Sequence, residues 1–219
     1  MKYKAVLFDL DGTLLDTLHD IADSMNAVLE KNGFKPHPAE RYKKFIGGGV
    51  GDLARRTLPA GVDDGTAADI SMQMRKEYAH RWGVKTRLYP GIETMLDGLV
   101  ERDVAMSILS NKPDDFTRIM GGHFLGAWPF RIIMGASDVF PKKPDPSAAL
   151  YIARQMGIDP AVFLYLGDSD VDMKTAAAAG MLPVGALWGF RDAEELRAHG
   201  AKHLLRKPGD LLDLFRTVS

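Results

Sequence analysis

Short apolar runs alternate with amphipathic stretches along most of this chain. Ala5 to Leu10, Val104 to Leu109, Arg131 to Met134, Val162 to Leu166 and Leu182 to Ala186 read as strands buried on both faces, the pattern of a parallel sheet. Helical faces separate most of them. Met95, Leu96, Leu99 and Val100 form one face ahead of Val104. Ala148, Ala149, Ile152, Ala153 and Met156 form another ahead of Val162, preceded by Pro144 and Pro146. The run Ala176 to Ala179 meets Gly180, a helix stop. This alternation predicts an α/β fold, a Rossmann-like doubly wound parallel sheet.

One interval departs from the alternation. From Thr17 to Val84 the period is helical, as in Ile21, Met25, Val28 and Leu29, and no strand pattern stands out. Gly33-Phe34-Lys35-Pro36 breaks the first helix, and the cluster Gly47-Gly48-Gly49-Val50-Gly51 separates later ones. The simplest organisation is an α/β core made of residues 1–16 and 85–219, with a helical cap inserted at 17–84. Tyr89-Pro90-Gly91 marks the return to the core.

Composition narrows the partners. With 28 Lys+Arg against 29 Asp+Glu in 219 residues, the chain lacks the basic excess of a nucleic-acid binder. It has no cysteine, which excludes disulfides and thiolate chemistry. The apolar run after Lys4 is broken at once by Asp9 and Asp11, unlike a signal peptide, and no run approaches the ~20 residues of a membrane span. The expectation is a cytoplasmic protein without membrane or nucleic-acid partners, either a monomer or a homodimer.

The chemistry gathers at strand ends. In Asp9-Leu10-Asp11-Gly12-Thr13, a buried strand delivers two carboxylates into a turn, and residues two apart on an extended segment share a side. Two carboxylates in one small volume need positive compensation, for which Mg²⁺ plus a phosphate group is a natural set. Ser110-Asn111 follows the second strand. Lys143-Pro144-Asp145-Pro146 precedes a helix, and Gly167-Asp168-Ser169-Asp170-Val171-Asp172 follows the strand at Val162. Three of these four elements sit at the C-terminal ends of predicted parallel strands, the edge where open α/β sheets bind ligands. Each has a plainer meaning alone. Asp-Gly is a turn signal, Lys142-Lys143 a surface pair, and Ser169 or Asp170 a helix N-cap.

Taken in order, the four elements resemble the phosphatases of the haloacid dehalogenase superfamily, whose pattern is Asp-x-Asp-Gly-Thr, Ser or Thr, Lys, then Gly-Asp-x-x-x-Asp. The resemblance spans nearly the whole chain. It implies that Asp9 is the nucleophile and forms an aspartyl-phosphate, and that Asp11 is the general acid and then the base. It implies Mg²⁺ held by Asp9, the backbone carbonyl of Asp11 and Asp168, with Asp172 in support. Ser110, the Asn111 amide and Lys143 would hold the phosphoryl oxygens, and Thr13 would orient the nucleophile loop at the substrate. The lysine directly before proline is Lys143, with Lys142 as runner-up. An acid at position 11 argues for phosphate esters over carbon–halogen bonds, since an alkoxide needs a proton and a halide does not.

The substrate implied is a small phosphorylated metabolite. Phe45-Ile46-Gly47-Gly48-Gly49-Val50-Gly51 resembles the cap specificity loop of phosphoglycolate phosphatases, although it also reads as a plain connection between helices. Val184 to Gly189 resembles a stretch of the same relatives, in which Trp188 packs. Arg55 and Arg56 read as a solvated helix face or as a reach toward an acidic substrate tail. 2-Phosphoglycolate is the leading substrate. Sugar phosphates, nucleoside monophosphates and pyrophosphate stay open, as does a phosphomutase of the β-phosphoglucomutase type. A binding protein on a retired phosphatase core is disfavoured by the intact residue set.

Overall fold

The computed structural model describes residues 2–216. The strands are β1 (Ala5–Phe8), β2 (Leu15–Asp16), β3 (Arg87–Leu88), β4 (Ala105–Pro113), β5 (Phe130–Ala136), β6 (Phe163–Gly167), β7 (Leu182–Ala186) and β8 (His203–Leu205). The helices are α1 (Leu18–Lys31), α2 (Ala39–Phe45), α3 (Val50–Thr57), α4 (Asp64–Tyr78), α5 (Ile92–Val100), α6 (Asp114–Leu125), α7 (Ser147–Met156), α8 (Asp170–Ala178) and α9 (Ala193–Ala198). Six strands form one parallel sheet in the order β5-β4-β1-β6-β7-β8. The α/β fold expected from the alternating pattern is the fold observed.

The five apolar runs became five neighbouring strands; β1, β4, β6 and β7 are buried on both faces, whereas β5 is the edge strand and only partly buried. Alternation along β1 divides them. Ala5 and Leu7 join Phe163, Tyr165, Ala149 and Ile152 on one face of the sheet. Val6 and Phe8 join Leu164, Leu166, Leu96 and Met106 on the other. Burying one such side chain contributes roughly 1.5–3 kcal/mol. The sheet is therefore held from both sides, and its strand ends are fixed relative to one another.

Strand order sets the site. The chain moves outward from β1 to β4 and β5, then returns to the far side of β1 with β6. This reversal opens a crevice beyond the C-terminal end of β1. Two strand ends differ from expectation. β1 stops at Phe8, so Asp9 and Leu10 already belong to the turn. β4 runs on past Leu109 to Pro113, with its register against β5 shifting between those residues. Ser110, Asn111 and Lys112 are thus strand residues at an irregular edge.

Helices α1 to α4 lie between β2 and β3, which pair antiparallel through Leu15 with Leu88 and Asp16 with Arg87. The apolar face of α1, with Ile21, Met25, Val28 and Leu29, packs in the same cluster as Ile70, Met74 and Tyr78 of α4. The β2–β3 ladder flanks residues 17–84 on either side and, at two residues per strand, is too short to show in the sequence pattern. β8 is also too short to stand out.

The departure and return of the helical segment are clasped by one buried carboxylate. Asp20, 2% exposed, accepts from Lys85 N through both oxygens at 2.9 Å. It also accepts from Thr86 N and Thr86 Oγ1, each at 2.8 Å. Removing it leaves the Lys85 and Thr86 backbone donors without their carboxylate. Asp20→Ala is expected to cost about 2–3 kcal/mol, measured by urea denaturation. An unchanged midpoint would show that the clasp adds nothing to the fold.

Candidate active site

The crevice beyond β1 holds a cavity between the sheet and the helical segment. Asp9, Asp11, Ser110, Asn111, Lys112, Lys143 and Asp168 line its floor. Ile21, Ile46, Val50, Leu53, Met74, Tyr78 and Phe116 supply apolar walls. The polar groups arrive on three adjacent strand ends, β1, β4 and β6, and on the loop before α7.

Lys143 ties these strands together. Its Nζ donates to Asp9 Oδ1 at 2.8 Å, to Asp172 Oδ1 at 2.6 Å and to the Leu109 carbonyl at 3.1 Å. An ammonium has three donors, and all three are used. Burial works against its charge, but Asp172 and Asp9 outweigh burial and hold it protonated well above the usual lysine range. Lys142 is exposed, so the lysine next to the proline is the one inside.

The carboxylates are crowded. Oxygens of Asp9, Asp168 and Asp172 all lie within 4.8 Å of one another, and all three residues are buried. Burial pushes Asp9 up to about 7 despite Lys143, with Asp172 and Asp11 adding to the rise. Burial, then Asp9 and Asp172, push Asp168 well above the carboxylate range. One ammonium among three buried carboxylates leaves an excess of negative charge, and that donor set fits a hard divalent cation. The trio can hold a metal ion. Asp172 already gives Oδ1 to Lys143 and Oδ2 to Ser169, whose N and Oγ lie at 3.1 and 2.6 Å. Ser169 is also the N-cap of α8, in a capping box with Asp172.

Two glycines let Asp168 sit where it does. Gly12 has φ +85°, and a Cβ there or on Gly189 would overlap the Asp168 side chain. Phe190 N donates to Asp168 Oδ2 at 2.7 Å. Thr13 Oγ1 reaches Asp168 Oδ1 at 3.4 Å. Thr13 is fully buried and does not line the cavity; its hydroxyl faces Asp168 from behind the site. Trp188 packs as expected and also donates Nε1 to the Thr13 carbonyl at 2.9 Å.

Asn111 has a role the motif does not show. Its Nδ2 donates to the Gly47 carbonyl at 2.9 Å and to the Lys143 carbonyl at 3.0 Å, and its Oδ1 accepts from Lys143 N at 2.9 Å. It therefore links the glycine loop to the lysine. Only Ile46 to Gly49 form that loop, since Val50 and Gly51 begin α3. Gly47 and Gly49 line the cavity. Arg191 ties the same region down from the other side, donating to the carbonyls of Lys43 and Ile46. Arg55 and Arg56 pair with Asp64 and Asp52 near the surface, outside the cavity.

Two site features escaped the sequence. Lys112 is buried at the cavity floor and donates to Asp11 Oδ1 at 2.9 Å and Oδ2 at 3.0 Å. Its Nζ lies 4.5 Å from the centroid of the Tyr78 ring. Burial opposes its charge, but Asp11 and then Tyr78 outweigh burial and shift it upward. The other feature is Phe190-Arg191. Neither stands at a motif spacing, although Lys112 does directly follow Ser110-Asn111.

Carboxylates and ammoniums gathered at the switch point of a parallel sheet, under a helical roof, define an α/β enzyme that handles an anionic group. The chain belongs to the haloacid dehalogenase-like hydrolases, whose family model matches residues 6–186. It is similar to a phosphoglycolate phosphatase of Pseudomonas fluorescens strain Pf0-1, with 33% identity over 192 residues, covering 85% of this chain and 70% of the relative. A phosphoglycolate phosphatase of Neisseria gonorrhoeae is 35% identical over 193 residues, 86% of this chain and 82% of the relative. The crystal structure of a putative phosphoglycolate phosphatase from Lactobacillus delbrueckii superposes with a TM-score of 0.92 at 26% identity, covering 98% of each chain. The family and these relatives make the chain a phosphatase. No helix among the described residues is long and apolar enough to cross a membrane.

The raised carboxylates yield a test of metal binding. A cation must displace the proton that Asp9 holds below pH about 7. Mg²⁺ is therefore expected to raise the melting temperature more at pH 8 than at pH 6, measured by thermal-shift titration. An equal shift at both pH values, or none, would count against a metal on Asp9.

Proposed function

We propose that the protein is a Mg²⁺-dependent phosphatase that hydrolyses a small phosphate monoester, 2-phosphoglycolate foremost, through an aspartyl-phosphate on Asp9. In this reading residues 1–16 and 85–219 are the catalytic core and 17–84 the cap that covers it. The observation that carries the reading is Asp9 at the cavity floor, 2.8 Å from the Lys143 ammonium and within 4.8 Å of two further carboxylates.

The chemistry follows from where the groups sit. A phosphoryl group bound over Asp9 meets a carboxylate oxygen as nucleophile, with Ser110 and Lys143 beside its equatorial oxygens. As the Asp9–phosphorus bond forms, the bond to the leaving oxygen breaks. Asp11, on the same cavity wall, gives that oxygen its proton. Asp11 then takes a proton from water, whose oxygen attacks phosphorus and frees Asp9 and inorganic phosphate. Asp9 and Asp168, with the Asp11 carbonyl, would hold Mg²⁺, which neutralises the phosphate's charge and that of the floor when bound. The apolar walls on α1, α3 and α4 exclude water while the acyl phosphate exists.

The substrate choice rests on likeness and fit. The matched relatives are phosphoglycolate phosphatases, and the cavity is roofed by bulky apolar side chains that favour a short leaving group.

A phosphate-release panel with Mg²⁺ tests the proposal, using 2-phosphoglycolate, sugar phosphates, nucleoside 5′-monophosphates and pyrophosphate. Selective turnover of 2-phosphoglycolate is expected, and Asp9→Asn should lower kcat by at least about 10³-fold while leaving the fold intact. Sustained hydrolysis by pure Asp9→Asn would overturn the nucleophile, and preference for another ester class would overturn the substrate.

A further inference from the structure

Lys112 is a cation that the phosphoryl chemistry does not require. Lys143 spends all three donors on protein oxygens. Lys112 places both of its hydrogen bonds on a single carboxylate, that of Asp11, and its remaining contact is the face of Tyr78. Its side chain is only 5% exposed, yet the residue lines the cavity. Tyr78 lies beside its Nζ, and Phe116, Met74 and Ile21 line the same cavity as uncharged walls. A buried ammonium in apolar surroundings is costly unless anions face it, and Asp11 is its one carboxylate partner among the described residues.

Position then says what else it faces. Asp11 is the group that, in the reading above, meets the leaving oxygen. Lys112 Nζ is one hydrogen bond beyond Asp11. A leaving oxygen bonded to Asp11 therefore lies within two hydrogen-bond lengths of Nζ, each about 2.9 Å. A carboxylate separated from that oxygen by one carbon falls within reach of the ammonium, whereas a longer leaving group would have to pass it and meet the Tyr78 and Phe116 rings.

We propose that Lys112 is the specificity-determining residue of this site, binding an anionic substituent, a carboxylate, on the carbon next to the ester oxygen. This deepens the proposed function and rests on it. Arg75 also lines the cavity but is half exposed and pairs with Asp115 at 2.5 Å, and Arg55 and Arg56 lie outside, so Lys112 is the buried cation suited to the task.

The test compares two esters of equal length, 2-phosphoglycolate and 2-hydroxyethyl phosphate, which differ in carboxylate against hydroxymethyl. Wild type should prefer the carboxylate in kcat/KM, mainly through KM. Lys112→Met should reduce that preference by about 10- to 100-fold, the range for a hydrogen bond to a charged group, and Lys112→Arg should restore part of it. A role confined to holding Asp11 would lower both esters equally and leave the ratio unchanged, which overturns the proposal. Calorimetric binding of the same two esters to Asp9→Asn, with and without Lys112→Met, reads the preference without turnover. Selective binding that Lys112→Met abolishes supports the proposal even if catalysis is absent. Turnover of both esters with no preference overturns Lys112 while leaving the phosphatase reading in place.

Discussion

Everything at this site depends on one buried ammonium. Among the described residues, Lys143 is the one group bonded at once to Asp9 just beyond β1, to the Leu109 carbonyl within β4, and to Asp172 in the first turn of α8. Placing a charge there is expensive, and its attraction to two carboxylates offsets the cost only because every donor has a good partner. The arrangement also explains why the carboxylates are off balance. Two of them share a single positive charge, and Asp168 has only backbone and hydroxyl partners in hydrogen-bonding reach. The floor is thus built with a deficit of positive charge that a bound cation would offset.

The roof is fixed to that floor by polar ties to backbone carbonyls. Asn111 holds Gly47, and Arg191 holds Lys43 and Ile46. At the other end Asp20 clasps Lys85 and Thr86. Asn111 is the informative member, because the same amide also brackets Lys143. A shift of the glycine loop is therefore transmitted to the lysine that positions Asp9. The apolar contacts across the cavity, Ile21 and Met74 among them, set its shape, while these ties set its alignment.

Legibility from the sequence follows the same division. The strands at Ala5, Val104, Val162 and Leu182 were readable because burial on both faces demands continuous apolar runs. The floor residues Asp9, Asp11 and Ser110 were readable because they follow the ends of those runs, and Lys143 because it directly precedes Pro144 in the loop before α7. Thr13 was readable as part of the turn but not as a group facing Asp168 from behind the site, since that contact is tertiary. Lys112 was not readable. β4 was taken to end at Leu109, and its continuation into an irregular edge is a tertiary effect of β5. Arg191 lacked any signal, because its partners are carbonyls more than a hundred residues away.

The two lysines divide the work of the cavity by their surroundings rather than by their type. Lys143 sits among carboxylates that cannot move, so its role is fixed before any ligand arrives. Lys112 sits against an aromatic face with one acidic partner, Asp11, and that partner must carry a proton to serve as an acid. In the proposed reading, Lys112 would then lose the charge of its carboxylate partner while lining the cavity. An ester bearing its own carboxylate would replace that partner, and a neutral ester would not. Selectivity for an acidic leaving group would then come from the charge balance of the acid itself rather than from a separate pocket, which is how so small a cavity can discriminate among phosphate esters at all.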